Sequence, residues 1–182
     1  MGRNIILIGY MGCGKTSVGA RLSKRLSYHF LDTDTMIEEK AKDTVSHIFA
    51  VHGEEYFRSL ETELLKELQR KLDRTVLSTG GGLPLREQNA GLLKEMGFVV
   101  YLKATKETTL RRLRGDTTRP LLQGGDVEQR IDSMLAYRIP IYEKTAHAVI
   151  TTDDKSVDEI VALIRELYAT QSTDAVKARK HF

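Results

Sequence analysis

Gly9, Gly14, Lys15 and Thr16 are spaced G-x-x-x-x-G-K-T, a pattern suited to holding a chain of phosphates. Glycines let the backbone curl until successive N–H groups point inward at phosphate oxygens. A lysine at this spacing reaches the β- and γ-phosphates as a mobile point charge, and the threonine hydroxyl ligates Mg²⁺. A helix beginning near Lys15 adds its positive dipole end. The chemistry implied is binding of a nucleoside triphosphate.

Further candidates lie downstream. Asp32 and Asp34 in "LDTDT" alternate about a strand end, so both side chains can lean the same way. Beside a phosphate loop they suit two tasks: Asp32 supporting Mg²⁺ through its water shell, and Asp34 facing an acceptor hydroxyl. Both also suit a simple turn ahead of a helix. Arg58 and Glu61 sit one helical turn apart beside the stripe Tyr56, Leu60, Leu64, Leu68. That spacing fits an ordinary surface ion pair as well as an arginine held ready to grip a substrate carboxylate. Gly80, Gly81 and Gly82 follow an apolar run, where three glycines make sense if backbone must lie close against a ligand. Arg111, Arg112, Arg114 and Arg119 precede Gly124–Gly125 without interleaved aromatics, which favours a lid over a triphosphate rather than a nucleic-acid surface. In that lid Arg119 delivers charge to the transferring phosphoryl group. Arg138 stands before Pro140, expected to end or kink its helix and aim the guanidinium at the same cleft.

These residues need a scaffold that brings them together. Five apolar runs read as strands: "NIILI", "YHFLDTD", "TVLSTGGG", "FVVYLKAT" and "HAVITTD". Helical periodicity falls between them at Lys15–Leu26, Glu54–Arg70, Arg86–Met96, Thr105–Arg114, Val127–Arg138 and Val157–Tyr168. Thr35-x-x-Glu38 and Ser156-x-x-Glu159 read as capping boxes. Alternating strands and helices predict an α/β fold, a parallel sheet with helices on both faces. In such sheets ligands lie at the C-terminal strand ends, where the glycine loop, Asp32/Asp34, Gly80–Gly82 and Thr151–Lys155 all fall. Residues 1–170 are expected to form one domain, and residues 171–182 a frayed or loosely docked tail.

Composition narrows the class. The 182 residues are 41% hydrophobic with a net charge of +3, too small to argue for nucleic acid. The single cysteine, Cys13, excludes an internal disulfide, and the five histidines show no i, i+4 pair, so no protein-bound zinc is expected. Cys13 lies near Lys15 and a helix start, which could activate its thiol; the alternative is a small residue filling a variable loop position. The N-terminal apolar run is too short for a signal peptide and no segment reads as membrane-spanning, so a cytoplasmic, monomeric enzyme is expected.

Taken in order, "GYMGCGKT", "DTD", "FRSLE", "GGG", "TTRPLL" and "YRIPIYEKTA" resemble shikimate kinase, over about Ile5 to Ala148. The resemblance implies a single-domain P-loop kinase fold with a five-stranded parallel sheet flanked by helices, a lid at about 112–125 and a substrate-binding region at about 33–62. It implies transfer of the γ-phosphate of ATP to the 3-hydroxyl of shikimate on the route to chorismate and the aromatic amino acids. ATP contacts would come from Gly12, Cys13, Gly14, Lys15, Thr16, Ser17, Arg112, Arg119 and Lys155, and Mg²⁺ contacts from Thr16 and Asp32. Shikimate would be held by Asp34, Arg58, Gly80, Gly81, Gly82 and Arg138, with Asp34, Lys15 and Arg119 carrying the chemistry. Lys155 marks a departure, because relatives often carry an Arg and a Pro there and "TTDDKSVDE" has neither. Rival readings are a gluconate-type or nucleoside monophosphate kinase, or a non-catalytic nucleotide-binding module.

Overall fold

The computed structural model describes residues 3–113 and 127–179. Arg114, Arg119 and Gly124–Gly125, with most of the expected lid, lie outside the described residues. The strands are β1 (Ile5–Ile8), β2 (His29–Asp32), β3 (Thr75–Ser78), β4 (Phe98–Lys103) and β5 (Ala148–Thr151). The helices are α1 (Lys15–Leu26), α2 (Thr33–Ala41), α3 (Val45–Gln69), α4 (Glu87–Met96), α5 (Lys106–Leu113), α6 (Val127–Thr145) and α7 (Val157–Arg179).

All strands pair in parallel, in the order β2-β3-β1-β4-β5. The central strand β1 is buried on both sides, which is why it reads as an unbroken apolar run. Its residues alternate between two cores. Ile6 and Ile8 join Leu64, Leu65, Leu93 and Tyr142 on the face covered by α3, α4 and α6. Ile5 and Leu7 join Val18, Leu22, Ile160 and Ile164 on the face covered by α1 and α7. Chain order reverses across β1, and the crevice beyond its C-terminal end is where such sheets take ligands.

Four local readings change. The cap of α2 is Asp32, whose carboxylate accepts from the Asp34 N–H, rather than Thr35; Glu38 instead accepts from the Val45 N–H, joining α2 to α3. A helical stretch capped by Thr44 precedes the expected Glu54 start, and Gly53 interrupts α3 at φ 80°. Pro140 lies inside α6, which runs on to Thr145. Packing explains this: Leu135 and Tyr142 anchor the helix on either side of the missing N–H. Finally, α7 continues past Tyr168 to Arg179.

Candidate active site

Gly14 adopts φ 97° at the end of β1's loop, and the curl it permits starts α1 at Lys15. Gly9 is equally constrained, since a Cβ there would stand 2.5 Å from the Leu102 carbonyl oxygen. The Lys15 ammonium donates to the carbonyls of Gly9 (2.9 Å) and Tyr10 (3.1 Å) and lies 3.7 Å from Cys13 Sγ. Cys13 is buried beneath the loop, its sulfur against Gly9, which favours the packing role over a reactive one. Thr16 donates its hydroxyl proton to Asp32 at 3.2 Å, so these two oxygens stand together beside the loop. Hard oxygen donors of this kind suit Mg²⁺, with phosphate oxygens and water completing the shell. No group of three or more His, Cys, Asp or Glu residues that could form a protein cage exists among the described residues.

Asp34 reaches the site differently from the expected alternation. It lies in the first turn of α2, with Asp32 as the cap. Its Oδ1 and Glu61 Oε1 converge over Gly80: a Cβ built there would lie 2.5 and 2.9 Å from them. Gly82 packs in the same way under the Arg58 guanidinium, leaving no room for a side chain. The triple glycine therefore makes space for the protein's own charged groups as much as for a ligand. The Gly80 N–H donates to Thr33 Oγ1 at 2.9 Å, so this amide is already engaged within the protein.

Arg58 is no surface residue. It is 8% exposed and donates to Glu61, itself 0% exposed, at 2.7 Å, and to Glu54 at 2.8 Å. Its guanidinium also lies over the rings of Phe49 and Phe57. Burial pulls its pKa down, but Glu61 and Glu54 outweigh that and raise it. Burial pushes the Glu61 carboxyl up to about 7, against the opposing pull of Arg58. Across the cleft Arg138, 7% exposed, stands 5.5 Å from the Tyr10 ring centroid. Tyr142, one turn further along α6, donates to the Gly81 carbonyl at 2.6 Å. Burial outweighs the pull of Arg138 and keeps this hydroxyl protonated.

Arg112 closes the nucleotide side, donating to Gly12 O (3.1 Å) and to both oxygens of Thr152. One cavity of about 1020 Å³ is lined by the phosphate loop, Asp32, Asp34, Arg58, Gly80–Gly82, Arg112, Arg138 and Lys155. The described members of the expected ATP, Mg²⁺ and shikimate sets all line it, whereas Gly9 and Arg111 do not. Its wall also includes Thr44, the cap of α3, with Ser46 and Phe49 from that helix's first half; they fall in the expected substrate-binding region at about 33–62, though none was singled out by residue. The polar residue Thr44 ahead of a helix was the available signal.

Comparison with known proteins decides the family. The shikimate kinase family model matches residues 11–169. The chain belongs to the shikimate kinase family. A shikimate kinase from Geobacter metallireducens is 45% identical over 162 residues, covering 89% of each chain. One from Symbiobacterium thermophilum is 44% identical over 165 residues, covering 90% of this chain and 94% of the relative. Among solved structures, a shikimate kinase from Acinetobacter baumannii in complex with shikimate superposes with a TM-score of 0.88 at 40% identity, covering 92% of this chain and 93% of that one. A deoxyadenosine kinase from M. mycoides, 17% identical with a TM-score of 0.61, shares the fold alone.

Proposed function

We infer that this shikimate kinase transfers the γ-phosphate of ATP to the 3-hydroxyl of shikimate, yielding shikimate 3-phosphate and ADP. The observation that carries the assignment of roles is the juxtaposition of two kinds of group in one cavity. The phosphate loop forms one part of its wall, while buried Arg58 and Arg138, from α3 and α6, form another with Asp34. A carboxylate-bearing alcohol fits that arrangement: the arginines take the carboxylate and Asp34 takes the hydroxyl.

Phosphoryl transfer asks little covalent chemistry of the protein, so positioning and charge neutralisation supply most of the rate. Lys15 would leave its loop carbonyls for the β- and γ-phosphates. Thr16 and Asp32 would hold Mg²⁺, which when bound neutralises phosphate charge. Arg58, fixed by Glu61, and Arg138, braced on Tyr10, would seat the substrate carboxylate. Gly81 and Gly82 are left to supply backbone donors, with Tyr142 fixing the Gly81 peptide. Asp34 orients the hydroxyl and accepts its proton late, because a carboxylate is far too weak a base to strip an alcohol beforehand. Arg112 and Lys155 belong to the ATP side, and Arg119 to the lid.

The test is a coupled ADP-release assay with MgATP and a panel of shikimate, gluconate, quinate, AMP and CMP. Turnover on shikimate is expected and the other four should be inert. If none turns over while ATP binds, the substrate assignment fails.

A further inference from the structure

Glu61 carries more than the positioning of Arg58. One of its oxygens, Oε2, accepts from Arg58 at 2.7 Å. The other, Oε1, is buried and has no hydrogen-bond partner among the described residues. That oxygen faces Asp34 across Gly80. An ionised carboxylate with one oxygen left unbonded in a buried site is costly, whereas a protonated one places an O–H where it can donate to Asp34.

The charges around Glu61 bear on its ionisation. Arg58 and Glu54 stand on its own helix, Asp34 faces it from α2, and Arg86 from the segment before α4. Burial is the largest influence and favours the neutral acid, Arg58 opposes it, Asp34 reinforces it and Arg86 weakens it, leaving the group near pH 7. Glu61 is therefore balanced between its two states in the free protein. A substrate carboxylate on Arg58 adds negative charge beside it and competes for the same guanidinium.

We propose that acceptor binding is proton-linked through Glu61: seating a carboxylate on Arg58 draws one proton from solvent onto Glu61 Oε1. Affinity for the acceptor then falls as Glu61 ionises. The proton leaves a buffer acid or hydronium ion and forms the Glu61 O–H bond; no other covalent bond changes. The inference rests on the reading of Arg58 as a carboxylate clamp, so its test has one arm that needs no substrate.

In that arm, ¹³C NMR of the ligand-free protein follows the Glu61 side-chain carboxyl through pH. A midpoint near pH 7 is expected, and a midpoint near the ordinary glutamate value of about 4.3 overturns the proposal. In the second arm, calorimetry measures shikimate binding at pH 6–8 in buffers of different ionisation enthalpy. Wild type should take up a fraction of a proton that grows with pH towards about one, with Kd rising up to about fivefold between pH 7 and 8. Glu61→Gln, which keeps an oxygen for Arg58 and an N–H₂ for Asp34, should show no uptake and a flat Kd. Equal uptake in the variant, or none in wild type, refutes the linkage. Should the variant not fold, the wild-type uptake and NMR titration still decide. If shikimate fails to bind wild type, the substrate reading fails and the linkage with it, whereas the NMR midpoint separately decides where the Glu61 proton resides.

Discussion

Gly82→Ala tests how the acceptor side is built. Gly82 has φ −90° and ψ −12°, a conformation any residue adopts, so alanine brings no backbone strain there. The nearest obstacle is the Arg58 guanidinium, whose Nη1, Nη2 and Cζ all lie where the new methyl would go. Those atoms end a flexible side chain, so Arg58 yields rather than the backbone. The displacement is on the order of an ångström, enough to spoil a bidentate contact with a carboxylate. Hydrogen bonds to charged groups contribute about 1.5–3 kcal/mol, so kcat/KM for shikimate should fall roughly 10- to 100-fold. The KM for MgATP should stay within about twofold, because Lys15, Thr16 and Arg112 are untouched.

The assay is coupled ADP release with each substrate varied in turn, alongside thermal unfolding. Alanine for glycine in an allowed conformation stabilises by about 0.4–1 kcal/mol through the unfolded chain, partly offsetting the disturbed Arg58–Glu61 pair. The protein should therefore remain folded. Arg58→Lys, which lacks the planar fork, weakens shikimate binding by itself, and adding Gly82→Ala to it should cost little more. A shikimate KM within twofold of wild type for Gly82→Ala, or full additivity of the two changes, refutes the reasoning.

Other expectations follow from the same site. Asp34→Asn should lower kcat at least about 100-fold, and a variant within a few-fold of wild type removes Asp34 from the base role. Tyr142→Phe deletes the hydroxyl that holds the Gly81 carbonyl; an increase of about 2- to 10-fold in shikimate KM with unchanged MgATP KM is expected, and unchanged constants for both argue that the bond positions nothing. Because folding raises the Glu61 carboxyl to about 7, its stabilising contribution is complete below the unfolded value near 4.5 and is lost as pH rises through 7. Denaturant unfolding at pH 4.5 and 7.5 should show wild type losing about 3 kcal/mol relative to Glu61→Gln, and a constant difference between the two proteins counts against the shift.

Strands, the phosphate loop and α1 were legible because each rests on local pattern: a buried apolar run, glycines at fixed offsets, Val18 and Leu22 at helical spacing. Arg58 and Glu61 were visible as a pair but not as a buried one, since burial depends on Phe49, Asp34 and the glycine turn packing against them. The cap of α2 was misplaced by three residues because Asp32 and Thr35 are both good caps, and only the end of β2 decides between them. Pro140 does not end its helix, because packing carries α6 on to Thr145, while Arg138 does reach the cleft as expected. Thr33 to Gly80 and Tyr142 to Gly81 span 47 and 61 residues, and no periodicity in a single chain announces such contacts. The Ser156–Glu159 capping box, wholly local, was read correctly.

The long-range contacts give the site its rigidity. Gly81 stands between the two halves of the cleft: a Cβ there would lie 3.5 Å from the Gly9 carbonyl oxygen and 3.8 Å from the Tyr142 hydroxyl. Thr79 ties the same segment to β1 through Leu7, donating from both its N–H and its hydroxyl. The phosphate loop and the acceptor loop therefore share a backbone contact rather than facing each other across a gap. In-line transfer needs donor and acceptor held to a fraction of an ångström, and binding groups on separate mobile segments could not do that.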